Sequence, residues 1–224
     1  TADHYVHVVH DLHMVAALGC GSRDRQSSIV ARCVADIAAA DLVAIDLEFS
    51  GLFLDISGEQ RPRSLEAYFA KCVRSIPEFL PLQLGLCCAR LRKPDSTWEL
   101  RSYEFNLWPQ DRRLFTSDFK SLLFLRSHGF DFNAFLEHGY TFCRLPTFGM
   151  RKKPSAQLPL ATKVMEALRA AKVPLVFHNG LLDLLHLYSS FFADLPEDCN
   201  RFAEDWMAQF PLLFDTRHMA QEGQ

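Results

Sequence analysis

The sequence predicts an α/β domain: a mixed five-stranded sheet flanked by helices. Two observations carry this. Three stretches of strand length come first, at 42–48 with its apolar lead, 80–91 and 98–107, the last two joined as a hairpin by the Lys93-Pro94-Asp95 turn. Helical and strand patterns then alternate from 160 to 215. Antiparallel strands followed by crossover units make a mixed sheet, with functional groups gathering at strand ends.

The elements follow in order. Residues 4–10 (His-Tyr-Val-His-Val-Val-His) read as an edge strand or extended lead-in, their histidines lacking the carboxylate or cysteine company of a metal site. Residues 21–27 are polar and read as a loop. Ser27 or Ser28 is placed to cap a helix reaching Ala40, whose Ile29, Val30, Cys33, Val34, Ile37 and Ala38 recur at helical spacing. Strand one is 42–48. A surface loop covers 55–64, a helix 65–76, and helices follow at 119–127 and up to His138. Residues 144–157, with Arg144, Arg151, Lys152 and Lys153, read as a basic loop. A helix over 160–171, a strand over 174–177, a helix over 181–192 and a strand over 211–214 complete the pattern.

Composition bounds the class. The 224 residues suit a single domain, and 49% hydrophobic content, with 19 phenylalanines, allows a large aromatic core. The net charge of −3 gives no global nucleic-acid signal, so polyanion contact must come from local basic patches. Seven cysteines, an odd count without C-x-x-C spacing, fit a reduced intracellular protein, nuclear or cytoplasmic. No stretch reaches the roughly 18 apolar residues of a membrane span, and no signal peptide is visible.

The chemistry concentrates at Leu42-Val43-Ala44-Ile45-Asp46-Leu47-Glu48-Phe49-Ser50-Gly51. Side chains two apart on a strand share a face, so Asp46 and Glu48 project together from a core strand's end. Adjacent carboxylates repel unless a cation sits between them, and hard oxygen ligands suit Mg2+ or Mn2+. A surface strand end with two solvated acids fits the same pair. Asp183, just past the His178-Asn179-Gly180 turn between strand and helix, can reach the end of strand one. It is equally a first-turn acid favoured by the helix dipole. Three acids together would hold two metals for phosphodiester cleavage.

Several segments occur in the order typical of one family: 40–51, Leu82-Gln83-Leu84-Gly85-Leu86-Cys87, Tyr103-Glu104-Phe105-Asn106-Leu107, 124–133, 178–188, Leu195-Pro196 and Phe214-Asp215-Thr216-Arg217. The set, spanning about 28–220, resembles the DEDD-type 3′–5′ exoribonucleases, specifically the deadenylase group of poly(A)-specific ribonuclease (PARN) and its Cajal-body snRNA-trimming relative. The interval before the strand at 174–177 is short, which favours a relative without PARN's helical insertion. The resemblance implies an RNase H-like fold and a magnesium- or manganese-dependent hydrolase with two ions, removing adenosines from RNA 3′ ends. It makes Asp46, Glu48 and Asp183 the catalytic metal ligands. It sets Phe49, Leu52 and Phe124, with His178 and Asn179, against the RNA. Partners would be RNA with a 3′ oligo(A) or poly(A) end, and a homodimer or ribonucleoprotein partner.

The family's fourth aspartate, preceded by a general-base histidine on a late helix, has no match; His218 is unassigned and Asp215 reads as a capping residue. The expectation is one RNase H-like exonuclease domain, 1–224, lacking its final-motif helix. The alternative is a catalytically inactive pseudo-nuclease serving as an RNA-binding or assembly component. A DNA exonuclease of the same fold is a third reading. Arg61, Arg63, Arg151, Lys152 and Lys153 are candidate phosphate contacts, or a solvated loop.

Overall fold

A computed structural model describes residues 23–54, 61–145 and 158–222. The histidine-rich 4–10 segment and Arg151, Lys152 and Lys153 lie outside these. Helix α1 (Arg23–Ala39) precedes β1 (Leu42–Phe49). The helix starts earlier than the sequence predicts, because Ser27 does not cap it. Its hydroxyl donates to the Arg23 carbonyl one turn back (2.9 Å), a mid-helix bond.

Helix α2 (Leu65–Ser75) is capped by Ser64, whose hydroxyl accepts from the Ala67 N–H (3.2 Å). A short 3₁₀ turn (Ile76–Glu78) leads into the hairpin of β2 (Pro81–Arg92) and β3 (Thr97–Pro109). Then come α3 (Phe119–Ser127), α4 (Phe132–His138), β4 (Tyr140–Phe142), α5 (Leu160–Ala171) and β5 (Leu175–Phe177). The chain continues through α6 (Leu181–Phe191), α7 (Cys199–Gln209), β6 (Leu213–Asp215) and α8 (Thr216–Glu222).

The sheet is mixed α/β as expected, but has six strands rather than five, in the order β4-β3-β2-β1-β5-β6. The sixth is β4, which extends the β3 edge in parallel, Leu107 opposite Tyr140. Three residues are too few to show an alternation, so this strand is set by the sheet edge. Strand β1 is antiparallel to β2 and parallel to β5, so it occupies the sheet's interior.

Alternation along β1 separates structure from chemistry. Val43, Ile45 and Leu47 are buried in the main core with Leu84, Leu86, Phe105 and Phe177. Asp46 and Glu48 take the opposite face and are half-buried. Much of the aromatic content is core: Phe142 packs on Phe191, and Phe192, Phe202, Trp206 and Phe210 form one ring cluster. Within it, α7 contributes Phe202 and Trp206 at i, i+4 spacing, with Asp198 as its N-cap. The six described cysteines, Cys33, Cys72, Cys87, Cys88, Cys143 and Cys199, are free thiols. No helix among the described residues is long and apolar enough to cross a membrane.

Candidate active site

Strand β1 outruns β5. Their pairing ends at Ala44 opposite Val176, while β1 continues to Phe49. The β5-facing amides of β1 alternate; the Val43 N–H donates to Pro174 O (2.9 Å), and the Leu47 N–H points to the same side with no strand beyond it. Its partner is a side chain. Helix α6 starts just after β5, and Asp183 Oδ1 accepts from Leu47 N–H at 2.9 Å. Leu47 lies between Asp46 and Glu48, so this bond draws the third predicted acid to the other two.

The acids feel one another. Asp183 is held well above the usual carboxylate range by burial first and by the Asp46 charge next, with Glu48 adding to it; the donors from Leu47 and its own backbone pull the other way. Glu48 is pushed up to about 7 by burial and by the Asp46 charge, while nearby His128 lowers it. A cation would relieve this repulsion, and three carboxylates are the donors a hard divalent ion takes. Among the described residues, no group of three His, Cys, Asp or Glu side chains is arranged to hold a metal as it stands. The fit therefore rests on donor chemistry and mutual repulsion, not on a preformed cage.

The turn after β5 is a second tight structure. Asp215, from the end of β6, accepts from the N–H groups of Asn179 (3.0 Å), Gly180 (2.9 Å) and Arg217 (2.9 Å). Burial alone would push its carboxyl up, but these donors outweigh it and hold the group below its usual range. This matches the capping role read from the sequence. Asn179 takes a left-handed φ of 56°, tolerable for asparagine. His178 is exposed, with Nδ1 2.8 Å from Thr216 Oγ1. That hydroxyl also lies 3.2 Å from Phe177 O, so His178 is tied through Thr216 to the end of β5.

The other residues expected to contact RNA differ in exposure and commitment. Leu52 and Phe124 are exposed, at 41% and 55%. Phe49 is half-buried and stacks on His186 of α6, ring centroids 4.4 Å apart. Arg61 and Arg63 are exposed. Arg144 is committed elsewhere, to Ser189 O (2.9 Å) and Asp194 (2.7 Å).

Two residues without a role in the sequence reading enter here. His128, at the end of α3, packs on Phe124 (4.0 Å between centroids), anchors Nδ1 at Phe124 O (2.8 Å) and acts electrostatically on Glu48. Its only sequence signal is the i, i+4 spacing from Phe124. His186 is 1% exposed, and neither ring nitrogen has a hydrogen-bond partner among the described residues. It is embedded in the apolar run 181–188, where periodicity singles nothing out.

Comparison with known proteins agrees with this architecture. Over a 295-position alignment, the chain is 22% identical to the poly(A)-specific ribonuclease PNLDC1 of Mus musculus, covering 83% of this chain and 55% of that protein. The human poly(A)-specific ribonuclease PARN is 32% identical over 112 residues, covering 46% of this chain and 18% of PARN. The chain thus spans about half the length of the mouse relative. Among solved structures, Mg2+- and Mn2+-bound Pop2p of S. pombe superposes with a TM-score of 0.61 at 16% identity, covering 89% of this chain and 73% of that one. A yeast structure of the NOT1 MIF4G domain co-crystallised with CAF1 matches with a TM-score of 0.51 at 18% identity, covering 84% and 64%. These neighbours share the RNase H-like fold. The CAF1 family ribonuclease profile matches residues 22–158 and 150–224, and the chain belongs to that family.

Proposed function

We propose that the protein is a 3′–5′ exoribonuclease of the deadenylase type, acting on RNA with a 3′ oligo(A) or poly(A) end. The observation that carries this is the Asp183–Leu47 bond, which brings an acid from α6 to the two acids of β1. Family membership and poly(A)-specific relatives support the substrate class.

In this reading Asp46, Glu48 and Asp183 hold two Mg2+ or Mn2+ ions, which when bound activate water and stabilise the departing 3′ oxygen. Asp183 is oriented by the Leu47 N–H, so its carboxylate is fixed to the strand carrying the other two acids. His128 lowers the proton affinity of Glu48 and helps keep it ionised near neutral pH. Exposed Phe124 and Leu52 offer apolar faces for terminal bases, which stack without sequence readout. Asp215 holds the turn presenting His178 and Asn179 beside the RNA. The active protein works in or beside a ribonucleoprotein, inside the cell.

The test is release of 5′-AMP from oligo(A) in Mg2+. Asp46→Asn should abolish it, with the fold intact by circular dichroism. Unimpaired trimming by Asp46→Asn overturns the assignment. Oligo(A) binding without cleavage by the full-length protein establishes the pseudo-nuclease in its place.

A further inference from the structure

Helix α3 forms a wall beside the three acids. At its N-terminal end the Asp118 N–H donates to Ser50 O (2.8 Å), Ser50 Oγ donates to Thr116 O (2.8 Å) and the Thr116 N–H donates to Glu78 O (2.7 Å). Ser50 is two residues past Glu48. At the other end His128 acts on Glu48. The N-terminal end of the wall is therefore tied to the chain just past Glu48.

Its outer surface combines rings with cations. Phe115, Phe119 and Phe124 are 47%, 72% and 55% exposed, with Leu114 (98%) and Leu123 (47%) exposed beside them. Arg112, Arg113, Lys120 and Arg126 are exposed among them. Residues 111–126 carry these four cations against Asp111 and Asp118, in a chain whose net charge is −3. Asp118 is engaged in capping α3, accepting from the Ser121 N–H (3.2 Å) and hydroxyl (3.0 Å). Asp111 sits 3.8 Å from Arg113. No carboxylate among the described residues pairs with Arg112 or Arg126.

We infer that residues 112–120, with Arg126, form a binding rim for single-stranded RNA lying 5′ of the terminal nucleotides that face Phe124, with bases on Phe115 and Phe119 and phosphates on the cations. The inference rests on the deadenylase reading. Alternating cations and exposed rings suit a polyanion with flat bases. Four cations against two acids, in a chain of net charge −3, favour a polyanion over a second copy of this chain.

The test compares oligoadenylates of three and twelve nucleotides against the full chain and the double variant Phe119→Ser/Lys120→Gln. Anisotropy in EDTA reads binding, 5′-AMP release in Mg2+ reads catalysis, and light scattering reads oligomeric state. Stacking on one aromatic ring predicts a loss of about ten-fold in affinity for the twelve-mer. Removing one cation lowers the salt slope by about 0.7. Turnover of the three-mer stays unchanged. Unaltered twelve-mer binding, equal loss on the three-mer, or a change in oligomeric state accompanying the weaker binding overturns the rim. Wild-type protein that cleaves the three-mer but binds the twelve-mer no better sinks the rim alone. Wild-type protein inactive on both sinks the deadenylase reading, and the rim with it.

Discussion

His186 is a buried base that the fold keeps neutral, and replacing it with phenylalanine isolates what that costs. Burial pushes its pKa from 6.5 to about 3. The unfolded chain therefore takes up a proton between pH 6.5 and 3 that the folded chain does not, and stability falls as pH drops through that window. From those two values, the penalty is about 0.2 kcal/mol at pH 7 and about 2 kcal/mol at pH 5. His186→Phe keeps a ring against Phe49 and removes both unpartnered nitrogens. Its stability offset at pH 7 combines relief of two unpaired groups, about 1–3 kcal/mol each, with the strain of a larger ring in a filled core. The offset alone is not diagnostic, but its growth with acidity is. Glu48 and Asp183 titrate in both proteins and cancel in the difference. Urea unfolding in EDTA at pH 7 and pH 5 should show the variant's advantage widening by about 2 kcal/mol, equivalent to about 5 °C in the midpoint of thermal melts at this chain length. Parallel pH dependences would refute a neutral, unsolvated His186.

Four further outcomes follow from the site. Glu48, raised to about 7, must lose its proton to bind a cation, so Mn2+ affinity by calorimetry should rise about five-fold from pH 6 to pH 7 and flatten above pH 8. Without metal the same raised pKa has the opposite sign: the folded state favours protonated Glu48, and stability is lost as pH rises from 4.5 through 7. Asp215→Ala strips acceptors from the Asn179, Gly180 and Arg217 amides and should lower stability by about 2–3 kcal/mol in urea titration, whereas Asp215→Asn should retain part of it. At Gly180 an added Cβ would lie 2.4 Å from the Phe177 Cβ, so Gly180→Ala should displace the β5–α6 turn and reduce oligo(A) trimming through Asp183, detectable as weaker Mn2+ binding.

The parts of the fold that the sequence reveals are those where one physical signal dominates. The run 42–48 is apolar and bounded by Ser50-Gly51, so both the strand and the shared face of Asp46 and Glu48 are legible. Asp183 is legible because a strand followed by a short turn returns a helix to the sheet's end. Strand β4 is invisible because its three residues depend on a neighbour 33 positions away. Helix α7 is mostly polar, and its Phe202 and Trp206 spacing is the one signal it carries. His128 and His186 are obscure for opposite reasons. His128 acts through space on a distant strand, whereas His186 is hidden as one more position in an apolar stretch.

Leu47 and Asp183 stand 136 positions apart in the chain, yet a single bond between them brings the third acid to its place. During synthesis the first two acids leave the ribosome long before the third exists. A nascent chain, or one cut anywhere before α6, carries only two of the trio. The cluster of three acids therefore assembles only once α6 has been made and packed against the end of β1.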